Sequence, residues 1–184
     1  QFNLFESKVG TIVNGIVKKV SPKGVLLDVS GAEAFLDNSD SIPHENLSQN
    51  DRVKASIKEV VRKDNGVQIY LSRTSTKFME SLFMQEVPEI YDGIINIKAI
   101  AREPGARAKV AVRSVESNLD PVGACVGVRG SRVQVVINEL KGEKIDIIEW
   151  SEDTAAFVVN ALTPASVLKV VIDEENNKIE TVVP

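Results

Sequence analysis

The hydrophobic pattern of the chain changes its period at Ser75, and this change limits the folds that the chain can adopt. Before Ser75, apolar residues alternate with polar ones in short runs, as they do in half-buried strands. After Ser75, apolar residues first recur at helical spacing and then alternate again. The pattern predicts an all-β domain over residues 1–74 and a mixed α/β domain from residue 75, a multi-domain β plus α/β architecture.

The first domain reads as five short strands separated by turn signals. They are expected at residues 8–20, 24–29, 34–36, 52–61 and 67–72. Asn65-Gly66, between the last two, tolerates the positive φ angles of a tight hairpin turn. Because a small antiparallel sheet removes its edges by closing on itself, we expect a five-stranded barrel.

The second domain, residues 75–150, is predicted to have the order helix, strand, strand, helix, helix, strand. The first helix is expected to kink or end at Pro88. The strands are expected at residues 94–102, 109–114 and 144–149, and the two short helices at residues 120–126 and from residue 131 to Gly142. The turn at Glu103-Pro104-Gly105-Ala106 suits type II geometry.

The remaining residues, 151–184, repeat the first three elements of that order. A helix is predicted at residues 153–162, followed by strands at 167–172 and 179–183. The repeat stops at Pro184, before a second glycine loop. Since half a domain would leave an apolar face uncovered, and the chain opens without Met, we expect a fragment of a longer protein.

The most informative motif is Gly127-Val128-Arg129-Gly130, between the two short helices. Two glycines let a backbone bend sharply and approach a ligand closely, and the following helix offers free N–H groups and a positive dipole end to an anion. Arginine suits phosphate. The candidate RNA-binding residues are Gly127, Val128, Arg129, Gly130, Ser131 and Arg132. The alternative is a helical connection whose glycines serve only as caps.

A basic patch accompanies this loop, although the net charge of the chain is −4. Seven basic residues and three acidic ones lie between Lys98 and Arg132. Strand alternation places Ile95, Ile97, Val110 and Val112 on one face and Lys98, Arg102, Lys109 and Arg113 on the other. With Arg107, these four basic residues are candidates for secondary phosphate contacts. The alternative is that they are merely solvated.

No catalytic constellation is found in the sequence. His44 is the sole histidine and Cys125 the sole cysteine, and neither a phosphate-binding GxxxxGK nor a GxGxxG motif occurs. We therefore expect no enzyme activity, no cofactor and no metal, with Cys125 a buried apolar residue. The absence of a long apolar run, a signal peptide and paired cysteines predicts a cytoplasmic protein that contacts no membrane.

Two stretches resemble the first KH domain of the NusA family and the entry to its second: EVPEIYDGIINIKAIAREPGARAKVAV and DPVGACVGVRGSRVQVVINELKGEKIDIIEWSED. VGTIVNGIVKKV followed by AEAFL is similar to the S1-type barrel that precedes those domains. The resemblance implies an S1-type OB-fold at 1–74, a type II KH domain at 75–150, and a truncated second KH domain at 151–184.

The resemblance also implies a function and a set of partners. A member of this family binds nascent single-stranded RNA and RNA polymerase, and regulates pausing, termination and antitermination. It implies polymerase binding mainly through an N-terminal domain that this sequence lacks, and contacts with antitermination proteins. Apart from the resemblance, we expect a monomer.

The barrel departs from the family pattern. S1 domains that bind RNA well stack bases on aromatic residues of the second and third strands. The segment Pro22-Lys23-Gly24-Val25-Leu26 has none, and Asp37 stands where a histidine is common. We expect Phe35 in the core. The barrel is therefore predicted to be a weak auxiliary binder through Lys18, Lys19 and Lys23.

Two other functions fit the same sequence. These could be accessory domains of an RNA-processing enzyme, although phosphorolytic exoribonucleases place KH before S1. They could also be a scaffold whose barrel surface and acidic tail bind proteins.

Overall fold

The computed structural model describes residues 2–163 and 165–184, and its first part is a closed barrel. A short helix, α1 (Phe2–Glu6), is followed by β1 (Ile12–Ser21), β2 (Gly24–Val29), β3 (Ala32–Asp37), β4 (Arg52–Lys63) and β5 (Gly66–Ser72). The strand order is β1-β2-β3-β5-β4, and pairing of β1 with β4 closes the barrel. The expected five-stranded barrel is confirmed.

The start of the barrel differs from the prediction. Residues 8–11, expected to be strand, form a turn in which the Thr11 N–H and hydroxyl both donate to the Lys8 carbonyl. Helix α1 was not predicted. It is held to the barrel by Phe5, which is 4% exposed and belongs to the barrel core. The helix therefore depends on a tertiary contact that local periodicity does not reveal.

The second part is a three-stranded sheet with helices on one face. It contains α2 (Thr76–Glu86), α3 (Pro88–Tyr91), β6 (Ile95–Glu103), β7 (Arg107–Ser114), α4 (Pro121–Val126), α5 (Ser131–Glu139) and β8 (Lys144–Glu149). In the order β6-β7-β8, β6 pairs antiparallel with β7, and β8 pairs parallel with it. The hydroxyl of Ser75 accepts a hydrogen bond from the Phe78 N–H and caps α2, while Pro88 opens α3.

The core of this part lies between the helices and the inner sheet face. Phe78 and Phe83 from α2 and Leu140 after α5 meet Ile95 and Val112 from the strands, all of them buried. This confirms the helical spacing of α2 and α5 and the alternation at the start of β6 and along β7.

The last part contains α6 (Thr154–Ala161), β9 (Lys169–Asp173) and β10 (Lys178–Val182). The two strands pair antiparallel, with Lys178 opposite Asp173, so the predicted repeat of helix, strand and strand is confirmed. The hairpin leaves apolar side chains exposed, among them Val171, Ile172, Ile179 and Val182.

Candidate nucleic-acid interface

The glycine loop (residues 127–130) turns between α4 and α5, and three of its four residues have a positive φ that side chains seldom adopt. Gly127 has φ 79°, Arg129 has φ 57°, and Gly130 has φ 75°. The two glycines are needed for different reasons. A Cβ on Gly127 would stand 2.9 Å from the backbone nitrogen of Arg132, whereas a Cβ on Gly130 would meet nothing closer than 3.9 Å. Gly127 therefore permits a close approach, and Gly130 supplies the left-handed backbone.

The tip of the loop faces solvent. The Val128 side chain is 80% exposed, and Arg129 is exposed as well. Within the described residues Arg129 forms no ion pair. The loop leads directly into α5, whose first N–H groups have no partners inside the helix. The Gly130 and Ser131 N–H groups donate to the Gly127 and Val128 carbonyls within the bend. The bend thus places the exposed Arg129 guanidinium at the amino end of α5.

Arg132 has a different role from that of Arg129. Its Nη1 donates to Glu89 Oε2 of α3 and to the Ala124 carbonyl of α4, both at 2.8 Å. Arg132 was expected to offer its guanidinium to phosphate, but these two contacts tie the start of α5 to the neighbouring helices α3 and α4. It anchors the loop.

Apolar side chains border the loop on both sides. Val126, Val133 and Ile137 are half-buried, the last two packed against the core, and Cys125 is fully buried within that core. Burial raises the pKa of the Cys125 thiol to about 12, so it is uncharged at neutral pH, in accordance with the expected role as an apolar residue. These helix faces form an apolar border where bases could lie beside a held backbone.

The prediction for Arg102 is wrong. A β-bulge at Lys98 shifts the register between Ile97 and Ala99, so residues beyond it change faces. Arg102 consequently points into the protein, where its side chain is 1% exposed and its Nε donates to both carboxylate oxygens of Glu143 at 2.8 and 3.1 Å. A phosphate cannot reach it there.

The other basic strand residues lie on the sheet face away from the core helices, and each has a partner. Lys98 lies 4.8 Å from the Trp150 ring centroid. Arg107 pairs with Asp146. Lys109 donates to the Ala161 and Thr163 carbonyls at the end of α6. Arg113 pairs with Glu152 at 2.9 Å. The fold therefore does not bring these four together with the glycine loop; instead Lys109 and Arg113 hold the segment that follows β8.

The barrel carries an aromatic pair that the sequence prediction missed. Ala34 and Leu36 point inward, so Phe35 between them lies on the outer face, half-buried, and the prediction that it belongs to the core is wrong. Its register neighbours are Leu26 on β2 and Tyr70 on β5, also half-buried. Strict alternation along β3 was the signal that could have revealed this placement.

Asp37 follows Phe35 on the same outer face. Its carboxylate accepts hydrogen bonds from the Ser39 N–H at 2.8 Å and from the Ser39 hydroxyl at 2.6 Å, and these bonds hold its pKa below the usual range. A carboxylate that stays ionised at this position repels phosphate, so any RNA contact here would depend on stacking.

No group of three or more His, Cys, Asp or Glu side chains in residues 2–163 and 165–184 is placed to hold a metal ion. No helix in those ranges has the length and apolar character needed to cross a membrane.

Comparison with known proteins gives matches along almost the whole chain. The profile of the NusA-like first KH domain matches residues 73–150, and the profile of the S1 RNA binding domain matches residues 6–72. The curated relatives include proteins named transcription termination/antitermination protein NusA. The chain is 47% identical to that of Rickettsia conorii over its full length, 47% identical to that of Halalkalibacterium halodurans over 94%, and 43% identical to that of Bacillus subtilis over its full length. It spans 37%, 45% and 49% of these relatives respectively.

Proposed function

Since the chain belongs to the NusA family, we propose that it is an RNA-binding segment that holds single-stranded RNA through the glycine loop. The observation that carries this proposal is the outward bend at residues 127–130, with Val128 and Arg129 in solvent. Such a loop clamps about four nucleotides of backbone in KH domains. Main-chain amides and Arg129 hold the phosphates, and the apolar border at Val126, Val133 and Ile137 receives the bases.

The loop can be tested by placing acids where the structure has room for them. In a Val128→Asp, Gly130→Asp variant, both new side chains extend into solvent, and Asp tolerates the left-handed backbone of Gly130. Gly127 is left alone because any side chain there would strike Arg132. Repulsion of phosphate should weaken binding of a short single-stranded RNA by about tenfold or more, which is about 1.4 kcal/mol.

Val115→Asp is the matched control, because Val115 is also an exposed valine, 66% accessible, outside the loop. It should leave RNA affinity unchanged. Affinity measured over a salt series gives a second reading, since each lost phosphate contact reduces the slope for a single strand by about 0.7. Unchanged affinity and slope in the loop variant would contradict the proposal.

The barrel is proposed as a weaker second contact. Phe35 and Tyr70 are half-buried register neighbours on the outer side of β3 and β5. The exposed lysines Lys18 and Lys19 lie in β1, and Lys23 lies in the β1–β2 turn. Stacking on aromatic rings tolerates any base. Lys98, Arg107, Lys109 and Arg113 stay secondary candidates, with smaller effects than the loop because their charges already have partners.

The finer architecture is part of the same proposal. We assign residues 1–74 to an S1-type OB-fold, residues 75–150 to a type II KH domain, and residues 151–184 to the start of a second KH domain. The strand order β1-β2-β3-β5-β4, the parallel pairing of β7 with β8, and the repeated helix and hairpin support these assignments.

The role in the cell follows from the family. We propose that the protein of which this chain is a part acts in the cytoplasm as a monomer without enzymatic activity. It binds nascent RNA, RNA polymerase and antitermination proteins, and regulates pausing, termination and antitermination. Crosslinking of the intact protein to a stalled elongation complex tests this: crosslinks from the glycine loop should reach emerging RNA, and their absence would contradict it.

A further inference from the structure

Arg73 occupies the junction between the barrel and the α/β part. Its side chain is 3% exposed and makes contacts on both sides. Toward the barrel, Nε donates to Glu45 Oε2 at 3.0 Å, and Nη1 donates to the Lys54 carbonyl. Toward α5, Nη2 donates to the Glu139 carbonyl at 2.9 Å, and Nη1 donates to the Glu139 carboxylate at 3.2 Å. One guanidinium thus connects barrel residues to the last residue of α5.

The surrounding contacts show why this connection is stiff. Glu45 is 2% exposed, so the ion pair is removed from water on both sides. Three residues before Glu45, Ile42 leaves the barrel and is buried in the core formed by α2, α5 and the sheet. The Ser81 hydroxyl of α2 donates to the Gly10 carbonyl on the barrel side. Arg73 thus supplies the buried polar contacts of a junction at which the barrel and the α/β part also pack against each other.

We propose that Arg73 is a positioning residue for RNA binding, an inference that rests on the function proposed above. It donates hydrogen bonds to the carboxyl end of α5, and the amino end of the same helix directly follows the glycine loop. It also fixes the barrel, which carries Phe35 and Tyr70. The loop and the barrel face are therefore held at a set separation and orientation, although Arg73 itself touches no RNA.

The consequence for binding depends on RNA length. An RNA of about four nucleotides fits the glycine loop alone and gains nothing from a fixed barrel. A longer RNA can contact both the loop and the barrel. Its second contact forms at a high effective concentration only if the two surfaces keep their relative position. Loss of the junction should weaken binding of the long strand and leave that of the short one unchanged.

Arg73→Lys tests the fork geometry while it keeps the charge. A lysine ammonium can remain beside Glu45, but it cannot also reach the Lys54 and Glu139 carbonyls with a planar fork. Arg52→Lys is the control, since Arg52 is an exposed arginine of the same barrel. We expect Arg73→Lys to lower the affinity for an RNA of about 20 nucleotides several-fold and to leave the affinity for about four unchanged. Arg52→Lys should change neither.

Backbone ¹⁵N relaxation supplies a readout that a loss of stability alone would not alter. In the wild-type chain, amides of the barrel and of α5 should report one common tumbling time, and in Arg73→Lys the two sets should diverge. If Arg73→Lys does not fold, Arg73→Met with Glu45→Gln removes both buried charges together and serves in its place. Separate tumbling times in the wild type, or a variant with common tumbling and normal long-RNA affinity, would overturn the inference.

The two proposals fail in different ways. If the wild-type chain binds neither RNA, or if the loop acids have no effect, the proposed function is wrong. If the loop acids abolish binding and the Arg73 variants bind both RNAs as the wild type does, the function stands and the positioning role of Arg73 is wrong.

Discussion

The glycine loop and the basic strands β6 and β7 carry similar residue types and use them differently. In the loop, Arg129 stands in solvent and forms no ion pair within the described residues. In the strands, Arg102 is buried against Glu143, and Arg113 pairs with Glu152. A count of basic residues therefore overstates the surface available to phosphate, because much of the charge already stabilises the fold. What distinguishes a candidate binding residue is the absence of an internal partner.

The largest effect should come from breaking the buried strand pair. Arg102→Met leaves the Glu143 carboxylate, 0% exposed, with the Gly105 N–H as its remaining donor among residues 2–163 and 165–184. Leaving a buried charge without its ion-pair partner costs about 3–5 kcal/mol of folding stability. Arg107→Met, which breaks the exposed pair with Asp146, should cost less than about 1 kcal/mol. Denaturant unfolding measures both, and equal losses would show that burial is not what separates the two arginines.

A smaller effect should separate Arg129 from Arg113 in RNA binding. Arg129→Gln removes an uncommitted charge, so we expect affinity for a short single-stranded RNA to fall several-fold and the salt slope to drop by about 0.7. Arg113→Gln removes a charge that Glu152 already engages, so affinity should change little. Fluorescence anisotropy over a salt series makes the comparison. A larger loss of RNA affinity in Arg113→Gln than in Arg129→Gln would indicate that RNA binds at the strands and not at the loop.

The smallest effect concerns acid titration at the strand surface. A hydrogen bond and the charge of Arg113 lower the pKa of Glu152 from its ordinary value of 4.5. Because the folded-state pKa is depressed, the pair stabilises the fold above pH 4.5, and this contribution is lost as pH falls through the folded-state pKa. Arg113→Gln should return the Glu152 pKa toward 4.5 in an NMR titration. An unchanged pKa would mean that the ion pair is absent in solution.

Much of the fold could be predicted because it depends on local periodicity. The period change at Ser75, the stop at Pro88 and the glycines around α5 each act within a few residues. The candidate loop was found for the same reason, since its bend needs the close approach that glycine allows at Gly127 and the left-handed backbone that glycine favours at Gly130. The predictions for Arg102 and Phe35 were wrong because the sheet face on which each side chain lies depends on where the strand shifts register and on which residues it packs against. One bulge at Lys98 was enough to reverse the outcome for Arg102.

The sequence by itself determined the order of elements, the glycine bend and the family, because these are properties of neighbouring residues. Only the tertiary structure decided which cations remain available to a ligand. Arg73, Arg102 and Arg132 find partners 41 to 66 residues away as well as nearer ones, and no local pattern encodes such pairings. Burial makes these contacts costly to break, so the three arginines stabilise the fold. Arg129 stays exposed at the tip of the loop.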